Sequence, residues 1–281
     1  MRGTYHFAFF DEGSKREIRR ATLKAVAIPG YQVPFASREM PIARGWGTGG
    51  LQLTLSLIGT TDVLKVIDQG ADESVNAINI KKLVKQTAGI EVTDSTAEAT
   101  LIQSRHRIPE VPLTERQILI LQVPLPEPLR KIEKSEYATQ RLHADKQYSG
   151  AWLMLFEQIM KFGHMSTGAD HPVMVHDRYV SAPSPIPKFD NPKMNHSHAL
   201  ILLGAGREKK IYAVPPYTKV VSLDFEDYPF RVESFEHKSC HLCGATGVYL
   251  DELHQPSTGE AYHQCNDTSY CLERLNGQVH A

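Results

Sequence analysis

Residues 240–271, CHLCGATGVYLDELHQPSTGEAYHQCNDTSYC, hold every thiol of the chain, as Cys240-x2-Cys243 and Cys265-x5-Cys271. Thiols gathered this tightly are a metal-ligand pattern, so the sequence divides into a cysteine-free body and a small C-terminal module, 236–281. A disulfide framework is not the reading, because a chain of 281 residues needs no such staple. The sequence opens without a charged-then-apolar secretory segment and contains no apolar run near the length of a membrane span. A soluble, cytoplasmic protein is expected. Spacing leaves the bound species open between structural zinc and an iron-sulfur cluster. The five-residue gap before Cys271 is wider than the usual knuckle of about two to four residues, so three ligands plus one free thiol is a further arrangement.

Upstream, strands and helices alternate, which predicts an α+β fold: a mixed-sheet core over 1–126 and 175–235, interrupted by an inserted unit. Ala199–Leu203 and Ile211–Val214 read as strands around the turn Gly204-Ala-Gly-Arg-Glu-Lys-Lys210, and Ile118–Val123 as a buried strand bounded by prolines. Leu51–Leu57 alternates and reads as a strand, Asp62–Gln69 as a short amphipathic piece, and Val75–Lys85 as helical. Ser14-Lys-Arg-Glu17 has capping-box spacing and starts a helix that Pro29-Gly30 ends in a turn. Over 127–174 charged residues give way to Trp152, Leu153, Leu155, Phe156, Ile159, Met160 and Phe162 at helical spacing, the pattern of an inserted helical hairpin. Ser181–Met194 carries repeated prolines and is expected to be extended.

The chain has 31 Lys and Arg against 32 Asp and Glu, a formal net charge of −1, which gives no support to nucleic-acid steering. Neither a membrane nor a nucleic acid is an expected partner. The glycine-rich Arg44-Gly-Trp-Gly-Thr-Gly-Gly50 and the Gly204 turn are open to phosphate through backbone amides, but neither matches a P-loop or dinucleotide fingerprint. His106, between two arginines, reads as a solvated loop histidine or as a metal or phosphate contact. Gly30 reads as a turn residue; its α-carbon, lacking a side chain, could also lose hydrogen and flatten without steric cost.

Taken together, Ala25-Val-Ala-Ile-Pro-Gly-Tyr-Gln-Val-Pro-Phe35, Gly45-Trp-Gly-Thr-Gly-Gly50, Pro185-Ile-Pro-Lys-Phe-Asp-Asn-Pro-Lys-Met194 and the cysteine frame resemble the radical subunit of bacterial carbon-phosphorus lyase, over almost the whole chain. The resemblance is weakest over 131–170 and beyond Cys271. It implies a lyase of phosphonate catabolism that uses S-adenosylmethionine and a [4Fe-4S] cluster to break the carbon-phosphorus bond of alpha-D-ribose 1-methylphosphonate 5-phosphate. The products implied are methane and the ribose 1,2-cyclic phosphate 5-phosphate. By the same resemblance Cys240, Cys243 and Cys265 hold the cluster, and Gly30 and Cys271 carry the hydrogen relay. His106 would belong to a second metal site shared with a neighbouring subunit. Other core subunits are implied as partners, with an ATP-binding-cassette protein on the 127–174 insertion. In an aerobic preparation, zinc on all four thiolates, Cys271 included, is expected in place of the cluster. The alternative class is a structural zinc-binding subunit of an enzyme complex.

Overall fold

A computed structural model describes residues 20, 32–34, 50–105, 107–122, 133–135, 137–138, 141, 173–175, 178–180, 188–205, 210–222 and 234–277. Gly30, His106, Gly45–Gly49, Gly206–Lys209, all of the expected N-terminal helix except Arg20 and most of the 127–174 insertion lie outside the described residues. Among the described residues no helix is long and apolar enough to cross a membrane.

The core is a seven-stranded mixed sheet. Its strands are β1 (Gln32–Pro34), β2 (Val63–Asp68), β3 (Glu91–Val92), β4 (Leu101–Arg105), β5 (Ile118–Gln122), β8 (Leu200–Ala205) and β9 (Lys210–Val214), ordered β1-β9-β8-β5-β4-β2-β3. The run from β3 to β8 is parallel throughout, while β9 pairs antiparallel with both β8 and β1. Counting β2, β3, β4, β5 and β8 as first to fifth, the parallel strands stand in the order 2-1-3-4-5. That is a doubly wound arrangement whose strand order reverses between β2 and β4, and in such sheets the crevice at the carboxyl ends of those strands is the place for a site. The expected mixed sheet is therefore present, with a parallel centre. A smaller sheet joins β6 (Val173–Val175) to β7 (Arg178–Val180) and to β10 (Val220–Ser222).

Parallel strands covered on both faces read as continuous apolar runs, as Ile118-Leu-Ile-Leu121 and Leu200-Ile-Leu-Leu203 do. Alternate residues divide between two cores. Leu64, Val66, Leu101, Ile120 and Leu202 pack under helices α1 (Gly50–Leu57) and α2 (Val75–Ala88). Ile67, Ile102, Leu119, Leu121, Ile201 and Leu203 face the opposite side, against Ile108, Met194, Val214 and Val220. Each such buried branched side chain contributes about 1.5–3 kcal/mol.

Helix α2 confirms the helical reading of Val75–Lys85 and extends it by a turn. Ser74 caps its start by accepting from the Ala77 amide at 3.1 Å, and Gly89 ends it in the left-handed region at φ 67°. Three other readings are corrected. Leu51–Leu57 is helix α1, not a strand: it is enclosed nearly all round, so its buried positions show no helical period. Its polar positions are accommodated because Thr54 donates back to the Gly50 carbonyl at 3.0 Å and Ser56 to that of Leu53 at 2.7 Å. Asp62–Gln69 contains strand β2, whose buried Lys65 disguised it. The described part of the Ser181–Met194 connector is a 3₁₀ helix, Lys188–Met194, which tolerates Pro192.

The C-terminal segment adds the hairpin β11 (Leu250–His254) and β12 (Ala261–Cys265), followed by helix α3 (Thr268–Leu275). It docks where β2 and β4 end. The Thr268 amide donates to the Gly70 carbonyl at 3.3 Å, and Gly70 itself, at φ 88°, lies so near Asn266 that an added Cβ would sit 1.9 Å from its Oδ1. Gly70→Ala therefore meets both backbone strain and a hard contact at the docking seam. We expect it to lower unfolding free energy by about 2–4 kcal/mol in urea titrations, whereas a midpoint equal to wild type would show that the seam yields freely.

Candidate metal centre

The first pair of thiols sits in a turn built for them. Cys240 receives the amides of Cys243 at 3.5 Å and of Cys265 at 3.4 Å on its Sγ, and its carbonyl accepts from Gly244 at 2.9 Å, a residue in the left-handed region. The His241 amide donates to the His263 carbonyl at 2.7 Å, and the Leu250–Cys265 pairing closes the hairpin beneath, so that Cys265 faces the turn. Cys271 arrives from the other side, in the first turns of α3, where Asp267 caps the helix by accepting from the Tyr270 amide at 3.0 Å.

All four sulfurs converge. Cys240 and Cys271 stand 3.7 Å apart, Cys243 and Cys265 3.6 Å, and all four lie within 4.8 Å of one another. A thiolate shell at about 2.3 Å from one tetrahedral ion has edges near 3.8 Å, so the arrangement fits a single thiophilic cation with Cys271 as fourth ligand. A donor set of soft thiolates also suits an iron-sulfur cluster; in the four-iron kind each cysteine takes its own iron, so the sulfurs would have to stand farther apart than they do here.

Electrostatics distinguishes the four. Burial pushes the Cys240 thiol up, yet the amides of Cys243, Cys265 and Leu242 outweigh that and bring it down to about 6. Burial and the neighbouring thiols Cys240 and Cys243 raise Cys265 and push Cys271 up to about 12.

The module is fixed to the sheet by buried charge that sequence reading missed. Arg107, just beyond β4, donates through Nε to Asp190 Oδ2 at 2.6 Å, through Nη1 to Asn266 Oδ1 at 2.7 Å and through Nη2 to Glu110 Oε1 at 3.1 Å. Lys193 contacts Glu110 at 2.8 Å and Asp190 at 3.0 Å. Burial pushes the Asp190 carboxyl up, but Lys193 and Arg107 hold it below the ordinary carboxylate range. The guanidinium also lies 3.8 Å from the Tyr249 ring centroid, and Tyr249, Phe189 and Phe235 pack edge to face, with Phe235 against the cysteines. The available signal was the Arg105-His-Arg107 cluster, which closes strand β4 and begins the loop after it. On the sheet side Arg105 pairs with Asp68 at the adjoining strand ends. Of the expected site residues the structure brings Cys240, Cys243, Cys265 and Cys271 together; Gly30 and His106 lie outside the described residues.

Comparison with known proteins adds an independent finding. A family model described as phosphonate metabolism protein PhnJ matches residues 3–277. A protein of Escherichia coli strain K12 named alpha-D-ribose 1-methylphosphonate 5-phosphate C-P lyase is 57% identical over 270 residues, 96% of each chain. Its counterpart of the same name in Rhizobium meliloti strain 1021 is 58% identical over 271 residues, 96% of this chain and 91% of that protein.

The thiol protonation pattern makes metal uptake proton-coupled. Raised thiols such as Cys265 and Cys271 are protonated at neutral pH without a metal, so loading a thiophilic dication expels their protons. Apparent zinc affinity should fall steadily as pH drops from 8 towards the Cys240 value of about 6. Competition with a chelator across that range, with proton release followed by pH-stat, checks it; a pH-independent affinity would mean the thiols are already ionised.

Proposed function

We propose, from the premise that the chain belongs to the phosphonate metabolism protein PhnJ family, that it is a carbon-phosphorus lyase of phosphonate metabolism acting on alpha-D-ribose 1-methylphosphonate 5-phosphate. The observation that carries this reading is the near full-length likeness to relatives that bear that enzyme's name, in a chain whose four thiols gather as a soft donor set. An unactivated carbon-phosphorus bond offers hydrolysis no good leaving group, so the chemistry calls for a radical cofactor, with the protein positioning and shielding it.

On this reading Cys240, Cys243 and Cys265 hold a [4Fe-4S] cluster. Such a cluster would supply one-electron reduction of S-adenosylmethionine, and with it a hydrogen-abstracting radical. The residues of the chain do the rest. Gly30 gives up an α-hydrogen and is restored by the hydrogen of the Cys271 thiol. The Cys271 sulfur then bonds to phosphorus as the carbon-phosphorus bond breaks, releasing a methyl radical that takes hydrogen from Gly30 to become methane. The ribose 2-hydroxyl displaces the sulfur, forming the 1,2-cyclic phosphate and returning Cys271 as a thiol. Cys271 suits this role because it comes from a different element than the other three cysteines. We assign the work to the cytoplasm, within a complex of further core subunits, with an ATP-binding-cassette partner on 127–174 and His106 in a second metal site at a subunit boundary.

The single-ion spacing of the sulfurs favours a second reading, a structural zinc subunit of such a complex. Iron and sulfide analysis after anaerobic purification separates the two: equimolar zinc without sulfide, at full activity, selects the structural role.

Two substitutions test the relay. Cys271→Ser in the anaerobically reconstituted complex should keep the cluster and S-adenosylmethionine cleavage while methane release vanishes; undiminished methane would remove the thiol from the mechanism. Gly30→Ala hinders a flat α-carbon radical, so turnover should be lost with a stability change of at most about a few kcal/mol, and substantial methane from that variant would refute the relay.

A further inference from the structure

Lys65 is fully buried in the middle of β2, and all three of its protons have acceptors. Its Nζ contacts the Asp72 carboxylate at 3.0 Å, donates to the Asp94 carbonyl, and donates to Ser269 Oγ at 2.7 Å, a residue 204 positions away. A buried ammonium is costly unless so satisfied, and a strand that carries one in place of an apolar residue is specifying a partner.

That partner is the first turn of α3. The helix has eight residues, too short to hold itself, and Leu272 and Leu275 are exposed, leaving Ser269 and Cys271 as its buried side chains. Polar contacts to the sheet do the holding. Ser269 Oγ donates on to Asp267 Oδ1 at 3.0 Å, Asp267 Oδ2 accepts from the Glu110 amide at 2.9 Å, and Thr268 reaches Glu73 at 3.0 Å as well as Gly70. Cys240, Cys243 and Cys265, by contrast, are tied to one another through the turn and the hairpin, and Cys240 receives two of their amides. The Cys271 amide is spent within its own helix, on the Asp267 carbonyl at 3.1 Å.

We propose that Lys65 is a positioning residue: through Ser269 its ammonium fixes the helix of Cys271 to the parallel sheet, by a contact separate from the Arg107–Asn266 contact that holds the hairpin of the other three thiols. The proposal deepens the reading of Cys271 as a separable thiol and rests on that reading for its meaning, though not for its test. A shift of the hairpin against the sheet changes the distance from Cys271 to the other sulfurs without disturbing those three. Loss of the anchor frees α3, and Cys271 leaves the shell.

The test uses the full chain loaded with cobalt(II) alone, whose sulfur-to-metal charge-transfer band scales with the thiolates bound. Wild type should show a tetrahedral four-thiolate spectrum, with Cys271 protected from iodoacetamide. Ser269→Ala should lose about a quarter of the band, one ligand of four, with Cys271 alone becoming alkylated in the metal-bound protein. Ser269→Thr, which keeps the hydroxyl, should restore both signals. Lys65→Met should behave as Ser269→Ala does or more severely; should it not fold, the Ser269 pair decides. A Ser269→Ala protein with a full band and a protected Cys271, or one that exposes all four thiols together, overturns the proposal. No lyase activity is read here, so an anaerobically reconstituted complex that is inactive on phosphonates would remove the proposed function and leave this pattern, and the positioning role, standing.

Discussion

The guanidinium of Arg107 is the contact on which the arrangement of the molecule turns. It reaches Asp190 before β8, Asn266 after β12 and Glu110 in its own loop, and lies over the Tyr249 ring. Segments that are 83 and 159 residues distant are thus fixed around one planar cation. A buried ion pair adds little against a well-packed apolar alternative, but removing one partner costs about 3–5 kcal/mol because the other is left uncompensated. Its worth here is geometric. A fork of donors admits one orientation of its acceptors, which an apolar seam would not impose.

That orientation sets the cysteine turn over the carboxyl ends of β2 and β4, at the reversal of strand order where a parallel sheet leaves a crevice. The apolar cores fill both faces of the sheet and leave the carboxyl ends of β2 and β4 to polar groups, Asp68 with Arg105 and Arg107 with Asp190, with Lys65 and Asp72 paired in the interior behind them. The sheet thereby supplies a rigid shelf, and the thiols are suspended from it by ionic and hydrogen-bonded contacts whose lengths tolerate less play than packed side chains. Positioning to a fraction of an ångström is what both metal ligation and sulfur chemistry require.

Sequence reading reached the parts of this structure that depend on neighbours in the chain. The cysteine spacing, the helical stretch Val75–Lys85, and the apolar strands β5 and β8 are local patterns. It failed where distant residues decide. Leu51–Leu57 alternates as a strand would, and only its enclosure by β4, β5, β8 and α2 makes it a helix whose hydroxyls turn back on its own carbonyls. Lys65 made β2 look amphipathic because its acceptors include a serine in the last helix. The role of Asp190 was hidden for the same reason, since its cations are Lys193 nearby and Arg107 far back in the chain.

The separation of 204 residues between Lys65 and Ser269 also bears on the order in which the protein is made. Strand β2 leaves the ribosome long before α3 exists, and until then its ammonium has Asp72 and a carbonyl for company but lacks its third acceptor. Until α3 arrives, one of the three Lys65 protons is left to solvent, on a strand one place in from the sheet's edge. Contacts of such long range close slowly and keep an unfinished chain open to chaperones and proteases. The thiol module thus closes over Lys65 last, and a body that lacks its final helix leaves that ammonium open to water.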